Sequence, residues 1–154
     1  MAKKPAEKST MPSAAVVALS LIDVDLAFDP TFEDADEVAL HYHIQITPPK
    51  ETDESIYAFT AQVEISKAEK DSSEARTSIG ARYFCGIRCR NMTDKDIVAN
   101  ARKYTQTTVW GNFASLASIV AQQMRAQFPP LPPVGGRVEV KEEEDEATES
   151  AASA

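Results

Sequence analysis

EVALHYHIQIT, residues 37–47, alternates cleanly: Val38, Leu40, Tyr42, Ile44 and Ile46 share one side, and Ala39, His41, His43 and Gln45 the other. A period of two marks a strand with one buried face. Pro48-Pro49 stops the ladder by removing two donors, and the polar KETDE that follows reads as a turn. The same period recurs on both sides of this stretch. Ser55 to Lys67 places Tyr57, Phe59, Ala61, Val63 and Ile65 on one face. Ala75 to Cys89 does the same with Ile79, Ala81, Tyr83, Cys85, Ile87 and Cys89, leaving Arg76, Arg82 and Arg88 opposite. Upstream, Ala15 to Phe28 puts Val16, Ala18, Ser20, Ile22, Val24, Leu26 and Phe28 on one side and Asp23 and Asp25 on the other, until Pro30 ends it.

Four long strands joined by short polar links predict an antiparallel meander with one wet face, whose other face needs a cover. The cover comes last in the chain. Residues 94–103, DKDIVANARK, predict a short helix capped by Thr93, with Asp96 three residues on. Residues 108–127 carry Trp110, Phe113, Leu116, Ala117, Val120, Ala121 and Met124 at helical spacing, a stripe suited to lie on the sheet. The expected fold is α+β: a four-stranded antiparallel sheet with two C-terminal helices packed on one face. It occupies residues 15–138, between a flexible N-terminal segment (1–14) and a disordered acidic tail (139–154).

With 154 residues, 43% apolar and only 5 glycines, the chain suits one folded domain. Charge lies in blocks: acidic from Asp23 to Glu74, basic from Arg76 to Lys103, acidic again from Glu139 onward. A net charge of -8 argues against nonspecific nucleic-acid binding, which needs phosphate-neutralising charge. The apolar AAVVALSLI is broken by Ser20 and gives way to DVDLAFD, so it lacks the form of a signal peptide, and no run is long enough to span a membrane. Cys85 and Cys89, four apart on a strand, stand about 13 Å apart, beyond disulfide reach. Buried thiols in a reducing, cytoplasmic setting are the plain reading.

Catalysis finds little support. His41 and His43 share a strand face and would need an acid to hold a metal; a solvent-facing pair is commoner, and no metal is expected. The cysteines lack zinc spacing and have no histidine close in sequence. Asp23 and Asp25 share a face, as a glycosidase pair would, but strand-surface carboxylates are far commoner. No glycine-rich loop precedes a helix, so no phosphate cradle is evident. The chain reads as no enzyme and as needing no cofactor.

Binding is better founded. A single-layer sheet has open edges and one exposed face, and such a chain can complete itself by oligomerising or keep a groove for an extended apolar peptide. Trp110, Phe113 and the prolines after Phe128 are candidates to line that groove, though filling the core is an equal use for the two aromatics. Arg76, Arg82 and Arg88 form a row on the wet face that serves the neighbouring acids, an acidic partner or a subunit interface. AQFPPLPPVGG, residues 126–136, follows an amphipathic helix directly. It reads as a stiff strap crossing the domain, with Phe128, Leu131 and Val134 as its apolar contacts and Gly135-Gly136 as a chain reversal.

This order of elements resembles the SecB family of protein-export chaperones, including relatives that serve toxin–antitoxin systems. The resemblance is carried by four long strands, a short and a long helix, and a Phe-Pro segment before an acidic tail. Val109, Trp110, Gly111, Asn112 and Phe113 match loosely the family's aromatic start to the long helix, with Gly111 at its usual proline. Phe128, Pro129, Pro130, Leu131, Pro133 and Val134 match its Phe-Pro-x-Leu and Pro-Val pattern well. The resemblance implies a cytosolic holdase that works without ATP, binds unfolded or non-native polypeptides and assembles as a homotetramer, a dimer of dimers. It further implies hand-over of clients to the export translocase's motor ATPase, with no nucleic acid bound and no membrane insertion. Carried over, client contact falls on Tyr42, Ile44, Tyr57, Phe59, Trp110 and Phe113, and partner contact on Glu142, Glu143, Glu144, Asp145 and Glu146. The rival reading is a non-catalytic interaction protein of the same fold with one dedicated partner, such as an antitoxin-associated protein or an inhibitor.

Overall fold

The computed structural model describes residues 11–29, 38–69, 75–126 and 128–142. Five strands come first: β1 (Ser13–Phe28), β2 (Val38–Ile46), β3 (Lys50–Asp53), β4 (Ile56–Glu69) and β5 (Ala75–Arg90). A helical rod follows, made of α1 (Asp94–Tyr104), one wide π turn (Thr105–Val109) and α2 (Trp110–Met124), and β6 (Val138–Val140) returns to the sheet. The four long strands form where alternation predicts them, and Pro48-Pro49 does end β2. The turn expected at KETDE instead includes β3, which takes the same edge of β4 as β2, one after the other.

The strand order is β1-β5-β4-β2-β6, so the meander holds only for β2, β4 and β5. The expectation that β1 lies beside β2 is wrong: β1 pairs antiparallel with β5. Length accounts for this. The prolines cut β2 to 9 residues, whereas β5 offers 16 residues to match the 16 of β1. The free edge of β2 is taken by β6, which runs parallel to it and makes the sheet mixed. Glu139 and Val140 therefore belong to the sheet, although the acidic tail was expected to begin at 139.

Two separate helices were expected, but the structure has one rod, because no glycine or proline interrupts residues 103–108. Thr93 caps it as predicted, its hydroxyl oxygen accepting from the Asp96 N–H at 3.3 Å. The β-branched run from Thr105 is accommodated by the π turn. Thr105 Oγ1 donates to the Ala101 carbonyl and Thr107 Oγ1 to the Lys103 carbonyl, each at 2.8 Å, so the side chains engage carbonyls one turn back. The rod's stripe of Ile97, Ala101, Tyr104, Trp110, Phe113, Ala117 and Ala121 covers the inner rows of β2, β4 and β5, and these form the core. At its end Arg125 takes a left-handed conformation (φ 55°), with Ala126 N–H bonded back to the Ala121 carbonyl at 2.9 Å. This closure satisfies carbonyls that the last turn leaves open.

The proline segment is a strap, as its sequence predicts. Trp110 Nε1 donates to the Pro132 carbonyl at 2.7 Å, and the Gly135 N–H donates to the Gln106 carbonyl in the π turn at 2.8 Å. Gln106 Nε2 in turn donates to the Gly136 carbonyl. Phe128 and Leu131 pack on the core edge, but Val134 points to solvent, so it is not the contact expected. Nor do the two glycines reverse the chain through a left-handed turn; neither has a positive φ. Gly135 serves close approach, because a Cβ there would stand 2.9 Å from Ile44 Cδ1.

Candidate functional site

Among the described residues β1 is the outermost strand, and the helical rod does not reach across it. Two β-bulges, between Val16 and Ala18 and between Leu21 and Asp23, shift its alternation. The face read from strict alternation, which included Ala18, Ser20 and Ile22, is therefore corrected. Val16, Leu19, Leu21, Val24, Leu26 and Phe28 stand opposite Ile87, Cys85, Tyr83, Ala81, Ile79 and Thr77, respectively. Cross-strand partners share a face, and all six β5 partners are buried. The core row of β5 thus continues sideways as an apolar row on β1, with no helix above it among the described residues.

Only Leu19 of that row is tucked against the core. Val16 is 53% exposed, Leu21 46%, Leu26 49% and Phe28 42%. Val17, beside Gly86 on the outer face, and the bulged Ile22 are also exposed. Covering a half-exposed aliphatic side chain recovers about 1 kcal/mol, so a partner laid along this flank recovers about 5 kcal/mol before association costs. The free edge of β1 adds a row of outward N–H and C=O groups able to pair with an extended chain. Apolar surface and an open ladder on one strand are the two features on which an extended polypeptide can dock without a particular sequence.

Of the residues expected to touch a client, Ile44, Phe59, Trp110 and Phe113 are core and present no surface. Tyr42 remains 43% exposed, packed edge-on to Trp110 with ring centroids 5.9 Å apart. Tyr57 is half-buried, its hydroxyl donating to Glu51 Oε2 at 3.2 Å. Both face the rod's side of the sheet, as the β1 row does, with Tyr57 across Ile87 from Val16 and Tyr42 three strands away on β2, so the structure does not gather the six into one site.

On the outer face Arg82 is held by Asp23 of β1, its Nε donating to Oδ2 at 2.8 Å, with Nη2 bonded to the same oxygen. For Arg82 that is the service to neighbouring acids foreseen for the row. Arg88 faces the same side, while the Arg76 side chain lies outside the described residues. Glu142 is described and exposed; Glu143, Glu144, Asp145 and Glu146 lie outside the described residues. His43 Nε2 stands 3.6 Å from Glu139 Oε2. Among the described residues, no three ligands gather to hold a metal, and no helix is long and apolar enough to cross a membrane. Burial raises the Cys85 thiol to about 12, which makes it a poor nucleophile.

No protein-family model and no curated protein matches the chain. Its fold is that of a solved SecB-like chaperone, Rv1957 of Mycobacterium tuberculosis, determined in complex with a ChAD peptide from the Rv1956 HigA1 antitoxin. The two share 8% identity with a TM-score of 0.55, over 77% of this chain and 88% of the other. The architecture is thus an α+β SecB-like fold, with a mixed sheet under one C-terminal helical rod.

Proposed function

We propose that this protein is an ATP-independent, non-catalytic holdase of the cytoplasm that shields non-native polypeptides, in keeping with a role in protein export. The observation that carries this reading is the apolar flank and edge of β1, uncovered among the described residues, on a SecB-like fold. Client binding needs no special chemistry: apolar burial and main-chain pairing act in many registers, and a client that folds slowly is recaptured. Oligomerisation, as a dimer or a dimer of dimers, belongs to the same reading, because β1 of a second copy is itself a chain that can use that edge. In export, the translocase's motor ATPase would receive the client.

A second reading has a specific observation behind it: the SecB-like neighbour is bound to a peptide from an antitoxin. On that reading this chain serves one dedicated polypeptide. Breadth of clients separates the two. Several unrelated unfolded proteins are diluted into buffer with the purified chain, without nucleotide, and aggregation is followed by light scattering. The holdase suppresses all of them near stoichiometric ratios. Protection of none, alongside tight binding of a single partner, refutes it.

A further inference from the structure

The outer face of the sheet bears a cationic trough at the point where the chain leaves the described residues. Lys50, Ala58, Gly86 and Ala18 lie in one row across β3, β4, β5 and β1. Ala58 leaves a shallow floor between β3 and β5, closed off at Gly86 by Val17, whose Cγ2 would lie 3.2 Å from a Cβ there. Thr60 and Phe84 flank it on one side, and Arg88 on the other. Phe84 is 43% exposed although it sits in the middle of the sheet. Arg82 is already neutralised by Asp23, but among the described residues no carboxylate is in ion-pair range of Lys50 or Arg88. Glu142 already lies at the mouth: it lines a cleft of ≈ 490 Å³ together with Lys50, Thr60 and Phe84. The next four residues are Glu143, Glu144, Asp145 and Glu146.

We propose that this chain's own acidic segment, Glu142–Glu146, docks in the trough over Ala58, beside Phe84, with Lys50 and Arg88 as its cationic partners. The reach is sufficient. Five extended residues span about 17 Å, and the three strand spacings from β3 to β1 amount to about 14 Å. Charge is complementary, and the covalent link through β6 holds the segment at high effective concentration, so individually weak surface pairs act together. The docked segment also shields Phe84 from water. None of this depends on the β1 flank or on the holdase reading.

Carbodiimide coupling, which joins a lysine amine to a carboxylate in direct contact, tests it in the full chain, with products located by mass spectrometry. Lys50 is expected to couple to Glu143–Glu146 far more than Lys95 and Lys103 on the rod do. In a mixture of 14N- and 15N-labelled protein each product is expected to carry a single isotope. Arg88→Glu, or about 0.5 M salt, should lower the Lys50 yield about fivefold, since screening weakens exposed pairs. Coupling of Lys50 at the level of Lys95 and Lys103, or a yield that salt leaves unchanged, overturns the proposal. Mixed-isotope products overturn it too, because they place the tail of a second copy in the trough.

Discussion

Replacing Gly135 by alanine should be costly at a site where the backbone itself is ordinary. The new Cβ would stand 2.9 Å from Ile44 Cδ1 and 3.2 Å from two ring atoms of Trp110. Both neighbours are almost fully buried, so neither moves without disturbing the core. Overpacking of this kind costs about 1–3 kcal/mol, and we place Gly135→Ala near 2 kcal/mol. Gly136→Ala is the control: nothing lies within 4 Å of its added methyl, and its effect should stay below about 0.5 kcal/mol. Ile44→Val removes Cδ1 alone, at about 1 kcal/mol by itself. In the double variant it also removes the closest clash, so the pair should be less destabilised than the sum by about 1 kcal/mol. The residual cost reflects the Trp110 contact, which Ile44→Val leaves in place. Urea unfolding followed by the fluorescence of Trp110, the single tryptophan of the chain, reads all four proteins. A Gly135→Ala variant as stable as Gly136→Ala, or a double variant that is strictly additive, refutes the close-packed seat of the strap.

Tyr104 buries a hydroxyl that has no hydrogen-bond partner among the described residues, under an edge-on contact with Phe59. Tyr104→Phe should therefore stabilise the protein by about 1 kcal/mol, read as a higher urea midpoint; a loss of stability contradicts the orphan oxygen. Burial raises Cys85 from 9.0 to about 12. Above pH 9 the unfolded chain therefore binds fewer protons than the folded one, and stability falls as pH rises towards 12. Cys85→Ala should flatten that fall in part, because burial likewise holds Tyr104 at about 12; an unchanged slope contradicts the assignment. Arg125→Gly should add roughly 1 kcal/mol by relieving a side chain in the left-handed region, and a lower midpoint rules this out.

Alternation made β2, β4 and β5 legible because each has one buried face. β1 obeys the same rule less strictly: its bulges insert Val17 and Ile22, the first flipping the side chains from Ala18 to Leu21 and the second restoring the alternation from Asp23 onward. No residue pattern announces such an insertion, so the exposed row came out of register. Strand order was hidden for another reason. Pairing depends on matched lengths and free edges across the whole sheet, and only the finished lengths of β2 and β5 decide where β1 goes. The π turn and β6 are equally silent; three residues such as Val138–Val140 carry too short a pattern. At the candidate site, aromatic residues drew attention to Trp110, Phe113 and Phe59, yet the core needed them. The aliphatic surface of β1 was visible as a strand but not as an uncovered one, because cover is a property of the rod's length and position.

The most direct test is to place charge on the β1 flank and measure holding activity. Leu21→Lys with Leu26→Lys replaces two side chains that are already about half exposed, so folding should survive, as checked by circular dichroism and the urea midpoint. The account predicts that the folded double variant no longer suppresses aggregation of unfolded proteins that the unaltered chain keeps in solution. Equal suppression by the two proteins would contradict the assignment of β1 as the polypeptide-docking surface.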